Sequence, residues 1–124
     1  MAGPTFDDVR RICLSRPQAE EVFVEAWGHP TFRVRNKMFA SMGGEDGEAS
    51  CTFKTEVEER EALDAIGEPW FVPAYVGRYG WRGLHLAHPK ARDVSSEELA
   101  ELLTTSWRLT APKKLVKAFD EHEG

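Results

Sequence analysis

Thr31-Phe32-Arg33-Val34-Arg35-Asn36-Lys37-Met38-Phe39-Ala40 decides how this chain folds. From Thr31 to Arg35 apolar and basic side chains alternate, with Phe32 and Val34 on one side and Arg33 and Arg35 on the other. A period of two belongs to a β-strand, whose successive side chains point to opposite faces. Asn36-Lys37 reads as a two-residue turn, because asparagine tolerates positive φ. Met38 to Met42 returns as the second arm, and such a turn sets Val34 opposite Phe39. The expected hairpin buries Phe32, Val34 and Phe39 and turns Arg33, Arg35 and Lys37 to the other face. A slip of one residue would invert that assignment.

Working outward, Val22 to Trp27 is β-branched and aromatic, and reads as a preceding strand that ends in a Gly28-His29-Pro30 turn. Gly43 to Glu48 is a polar loop and Ala49 to Lys54 a fourth strand. Before this block, Thr5 caps a helix whose apolar stripe is Phe6, Val9, Ile12 and Cys13, and Pro17 ends it. After it, Thr55 caps a second helix with Glu58 as its capping-box partner, running to Ile66 and stopped by Gly67. Pro69 to Gly80 is irregular and rich in aromatics, and Trp81 to Leu86 is a fifth strand. Ser95 opens a helix with Leu99, Leu102, Leu103, Ser106 and Trp107 on one side. Pro112 fits the first turn of a last helix that buries Leu115, Val116 and Phe119. The expected class is α+β: one antiparallel sheet with the N- and C-terminal helices packed on one face.

At 124 residues this is expected to be a single domain, 1–124, large enough for one core. Hydrophobic residues at 41% and charged residues at 30% exclude a disordered, coiled-coil or collagen-like chain. There is no membrane-length apolar run and no apolar leader near Met1, so a cytoplasmic protein is expected. The net charge is −5, from 16 basic and 21 acidic residues, which gives no overall electrostatic attraction to nucleic acid or anionic lipid. The distribution differs from the sum. Ala26 to Gly44, Pro69 to Arg92 and Leu102 to Phe119 hold eleven of the basic residues and no acid. A net-acidic chain can therefore carry a basic surface.

Enzymatic signatures are missing: no G-x-G-x-x-G, P-loop, G-x-S-x-G or H-E-x-x-H is present. Cys13 and Cys51 lie at apolar positions and read as buried free thiols. His85 and His88, three apart in a strand, would face opposite ways, and the residues next to His29 in sequence suggest no acid–base or metal site. Glu56, Glu58, Glu59 and Glu61 suit a solvated helix N-terminus rather than a cation site. No catalytic residue, cofactor or metal ligand is therefore expected. Two features remain. One is the hairpin with Arg33, Arg35 and Lys37. The other is Tyr75-Val76-Gly77-Arg78-Tyr79-Gly80-Trp81-Arg82, where arginine forks suit phosphate and aromatic faces suit stacking.

The N-terminal Phe-Asp-Asp-Val-Arg helix, HPTFRVRNKMFA from His29 to Ala40, Lys54 at the end of the fourth strand, YVGRYGW from Tyr75 to Trp81 and SWRLTAPKKLV from Ser106 to Val116 together resemble the MmcQ/YjbR-like family of small bacterial proteins. The resemblance runs from Phe6 to Phe119, with Asn36 where the family usually has a glycine. It implies a frataxin-like, double-wing fold and a DNA-binding role, without a defined set of binding residues. A non-enzymatic, monomeric module is expected, binding DNA weakly and non-specifically through Arg33, Arg35, Lys37, Arg78 and Arg82. The alternative is a small-ligand or protein-binding module that uses the exposed sheet face. A third reading is an enzyme with His29 or His85 as its acid–base group.

Overall fold

A computed structural model describes residues 3–26, 28–43 and 49–123. Trp27 and most of the expected polar loop, 44–48, lie outside the described residues. The chain forms α1 (Phe6–Leu14), β1 (Ala19–Val24), β2 (His29–Val34), β3 (Lys37–Gly43), β4 (Ser50–Lys54), α2 (Val57–Ile66), β5 (Trp70–Phe71), β6 (Trp81–His85), α3 (Ser96–Thr110) and α4 (Lys113–Glu123). Short 3-10 turns at Gly77–Tyr79 and Pro89–Asp93 flank β6. The six strands form one sheet in the order β1-β2-β3-β4-β6-β5, with antiparallel pairing throughout. The class is α+β, as expected.

α1 begins where the sequence marks it. Thr5 Oγ1 accepts from the Asp8 N–H at 3.2 Å, and the Asp8 carboxylate accepts from the Thr5 N–H at 2.9 Å. The backbone hydrogen bond from Thr5 is the main cause that holds the Asp8 carboxyl below its ordinary value. Val9, Ile12 and Cys13 on α1 are buried, as are Leu99, Leu103 and Trp107 on α3. Both helices cover Phe32, Val34, Phe39 and Phe53 of the sheet, each fully buried. α4 is anchored through Phe119, whose ring meets Trp107 edge-on at 5.0 Å.

Three expectations need correction. β1 starts at Ala19, ahead of the β-branched run, and β2 starts at His29, so the chain reverses before His29 rather than through His29-Pro30. The two-residue β5 is an added edge strand, paired with Leu84 and Gly83 of β6. At α2 the capping box is Glu56 with Glu59, one residue beyond the expected Thr55 with Glu58. Thr55 is instead buried, and its hydroxyl donates to the Gly80 carbonyl at 2.6 Å.

The central hairpin is also built differently from its expected form. Val34 pairs with Lys37, so Arg35 and Asn36 are the turn residues, with φ of +50° and +66°. Two central residues at positive φ make a primed turn, whose twist matches that of the strands. The register then shifts: Phe32 faces Ala40 while Arg33 faces Met38, leaving Phe39 as the extra residue of a β-bulge. Val34 is therefore not opposite Phe39. The bulge lets Phe39 and Ala40, neighbours in sequence, both be fully buried.

Beside the bulge the β3–β4 ladder ends at the Ala40–Phe53 pair, and α3 caps it there. Ser106 Oγ donates to the Phe39 carbonyl and accepts from the Lys54 N–H at 2.8 Å. Ser106 has no exposed surface, so these backbone groups are satisfied without water.

Candidate nucleic-acid interface

Register decides which basic residues meet. β2 ends and β3 begins at the hairpin tip, through the Val34–Lys37 pair. β4 ends and β6 begins at that same end of the sheet, through the Lys54–Trp81 pair. The Gly77–Tyr79 turn enters β6 there, and Gly80 O accepts from both the N–H and the hydroxyl of Thr55. The hairpin tip and the aromatic loop, distant in sequence, thus flank Lys54.

Lys54 is the residue that sequence reasoning left out of the site. Its Nζ lies 5.9 Å from the centre of the Trp81 ring. Partial burial pulls its pKa below the ordinary lysine value, and the positive charge of Lys37 adds to the shift. Both causes act against the charged form, and the attraction of an anion placed here would oppose them. In the sequence it is marked only as the lysine that ends the fourth strand in the family resemblance, with no binding role attached.

The five expected contact residues do not form one set. Arg33 lies on the sheet face away from the helices, opposite Met38, and its Nε donates to Thr31 Oγ1 at 3.2 Å. Arg35 is exposed in the turn and its Nε donates to the Gln18 side chain. Lys37 is exposed opposite Val34, so the three do not share a strand face as alternation implied. Arg78 is exposed; its guanidinium stacks over the Tyr79 ring at 4.8 Å and its Nη2 donates to the Tyr79 hydroxyl at 2.8 Å.

Arg82 has a different situation. It is 7% exposed, and its Nε and Nη2 donate to the two Asp64 carboxylate oxygens at 2.7 and 2.9 Å. Nη1 donates to the Gly77 and Trp81 carbonyls at 3.0 and 2.7 Å. The bidentate hydrogen bond from Arg82 holds the Asp64 carboxyl below its ordinary value. This guanidinium pins the aromatic loop and α2 to β6, leaving no fork for a phosphate.

The remaining chemical candidates lie elsewhere. Burial pushes both thiols up, Cys51 to about 12, so neither is a thiolate near neutrality. β6 ends at His85, so strand alternation does not reach His88, and both histidines line a cavity of about 230 Å³ with Ala49 and Glu68. This corrects the expectation that they face apart. His88 Nε2 lies 2.8 Å from the Glu68 carboxylate while its Nδ1 accepts from the Lys90 N–H at 3.0 Å. Phe71 stacks on His85 at 4.0 Å. His29 lies in the same cross-strand row as His85 but three strands away, roughly 14 Å at ordinary strand spacing, so the two cannot share a proton. Among the described residues no group of three or more His, Cys, Asp or Glu side chains could hold a metal ion.

The architecture has a solved counterpart. A crystal structure of Deinococcus radiodurans protein DR2400, with a DUF419 domain, superposes with a TM-score of 0.71 at 24% identity, over 85% of this chain and 77% of that one. That likeness defines the class as a fold. Residues 14–109 match the family model described as YjbR, and the chain belongs to the YjbR family. No curated protein matches it.

Proposed function

We propose that this YjbR-family chain is a non-enzymatic DNA-binding module that contacts phosphates with the end of its sheet. The contact set is Arg33, Arg35, Lys37 and Arg78 with Lys54 added, and Arg82 is removed because Asp64 holds it. The reading is carried by one observation: the Lys54–Trp81 pairing gathers the hairpin tip and the aromatic loop around a lysine whose charge is disfavoured by burial and by Lys37. Lysine and arginine donors of this kind grip the backbone and carry no sequence code. With a net charge of −5, affinity falls in the non-specific range, about 10⁻⁴–10⁻⁶ M. The module acts as a monomer in the cytoplasm. No helix among the described residues is long and apolar enough to cross a membrane.

A fluorescence-anisotropy titration against salt tests this. Binding should weaken as salt rises, and removing any one of the five charges should lower the salt slope by about 1 for each phosphate that is no longer neutralised. Arg82→Lys, where the protein remains folded, should leave the slope unchanged. No binding at low salt to any DNA overturns the proposal, and a small ligand or protein on the open sheet face would then lead.

A further inference from the structure

Resting on that reading, the geometry points to a narrower substrate: we infer that the site takes unpaired, single-stranded DNA in preference to duplex, with Tyr75 and the Arg78–Tyr79 pair as stacking platforms for bases. The aromatic loop holds its tyrosines in solvent. Tyr75 is 91% exposed and Tyr79 68% exposed. Tyr75 has φ of +65°, a left-handed conformation that a bulky residue adopts only at a cost. The loop is not loosely attached. Gly77 N–H donates to the Pro73 carbonyl at 3.0 Å, Trp81 N–H to the Val76 carbonyl at 3.4 Å, and the Gly80 carbonyl is held by Thr55. Gly80 itself sits at φ +93° with the Arg60 guanidinium packed where a side chain would begin. The backbone therefore braces an aromatic ring that stands open to solvent, at the same end of the sheet as Lys54.

An exposed ring gains from stacking only on a base whose face is free. In a duplex those faces are covered by neighbouring base pairs. Arg78 already holds its guanidinium over the Tyr79 ring, 4.8 Å from the ring centre, giving a guanidinium–aromatic pair of the kind on which unpaired bases stack. The borders of the basic end point the same way. Exposed Glu56 and Glu58 begin two residues past Lys54, and Glu20 of the edge strand stands opposite Arg33. A broad duplex with its high charge density would meet these carboxylates, whereas a single strand can follow the narrow basic track between them.

The test compares an oligothymidylate, a duplex of equal length and an abasic strand of equal length, titrated into the full chain at one low salt concentration. The oligothymidylate should bind at least about 10-fold more tightly than either of the others. Tyr75→Asn keeps a residue that accepts positive φ but removes the ring; it should erase most of that advantage, while Tyr75→Phe retains it. Equal affinity for all three probes, still weakened by Lys54→Met, overturns the single-strand inference and leaves the DNA-binding reading standing. An unchanged oligothymidylate affinity in Tyr75→Asn also overturns the inference. Absence of binding to every probe overturns both.

Discussion

Ser106 on α3 and Lys54 on β4 are joined by a hydrogen bond of 2.8 Å from the strand N–H to the helix hydroxyl, and the same hydroxyl donates to the Phe39 carbonyl. A helix side chain thus satisfies the two backbone groups where the β3–β4 ladder ends, beside the Phe39 bulge. Ser106→Ala should leave a buried donor and a buried acceptor without partners, a loss of about 1–3 kcal/mol for each unsatisfied group before relaxation. Urea denaturation read by tryptophan fluorescence measures it. A midpoint equal to that of the parent protein would contradict the bridge.

The Asp64–Arg82 pair gives stability with a defined pH dependence. The Asp64 carboxyl is held below its ordinary value of 3.8 by Arg82, so the folded state favours its ionised form. Its contribution is fully present above that ordinary value and is lost as pH falls through the depressed one. The stability difference between the parent and Asp64→Asn should therefore be constant near neutrality and shrink below about pH 4. Denaturation midpoints of the two proteins across that range check the sign.

Gly83 permits the close approach of Phe71. A Cβ at Gly83 would lie 2.3 Å from Phe71 Cζ, well inside van der Waals distance. Gly83→Ala should displace the ring from its stack on His85 and destabilise the protein by about 1–3 kcal/mol through overpacking. The double variant Gly83→Ala with Phe71→Ala should be less destabilised than the sum of its parts, since the clash is then absent. Thermal denaturation of the three variants beside the parent measures the difference.

Lys54 should separate binding from folding. Its charge is disfavoured in the native state, so stability attributable to it rises with pH as the ammonium loses its proton. Lys54→Met keeps the aliphatic stem over Trp81 and removes the charge. It should match or exceed the parent in urea midpoint while weakening DNA binding. A marked loss of stability would show that the ammonium supports the fold.

What the sequence made legible was the burial pattern rather than the pairing. Phe32, Val34 and Phe39 are buried as alternation implied, yet Val34 faces Lys37, because the turn sits at Arg35-Asn36, one residue earlier than Asn36-Lys37, and the bulge lies beyond that pair. β5 is only two residues long and makes no periodic signal. The opening of β1 carries Glu20 and Glu21, polar residues suited to an edge strand, and so lacks a strand composition. For the candidate site, the hairpin and the aromatic loop were each visible as basic stretches. Arg82 was indistinguishable from Arg78 until Asp64, on a helix 18 residues away, was seen to hold it. Lys54 was visible as a position of the family resemblance but not as a contact residue, since the acidic run that follows it keeps it out of the acid-free stretches, and charge counted along the chain blurs what register separates.

Trp107 Nε1–H donates to the Pro17 carbonyl at 3.1 Å, a bond that spans 90 residues of chain. The apolar side of α1 finds its cover on α3, so a ribosome-bound chain still lacking α3 leaves Val9, Ile12, Cys13 and the inner side of the strands wet. Contacts of such long sequence separation slow the search for the native state. Folding of this chain should then be gated by emergence of the Ser106-Trp107 segment, and nascent chains stalled before it should be the species most in need of a chaperone.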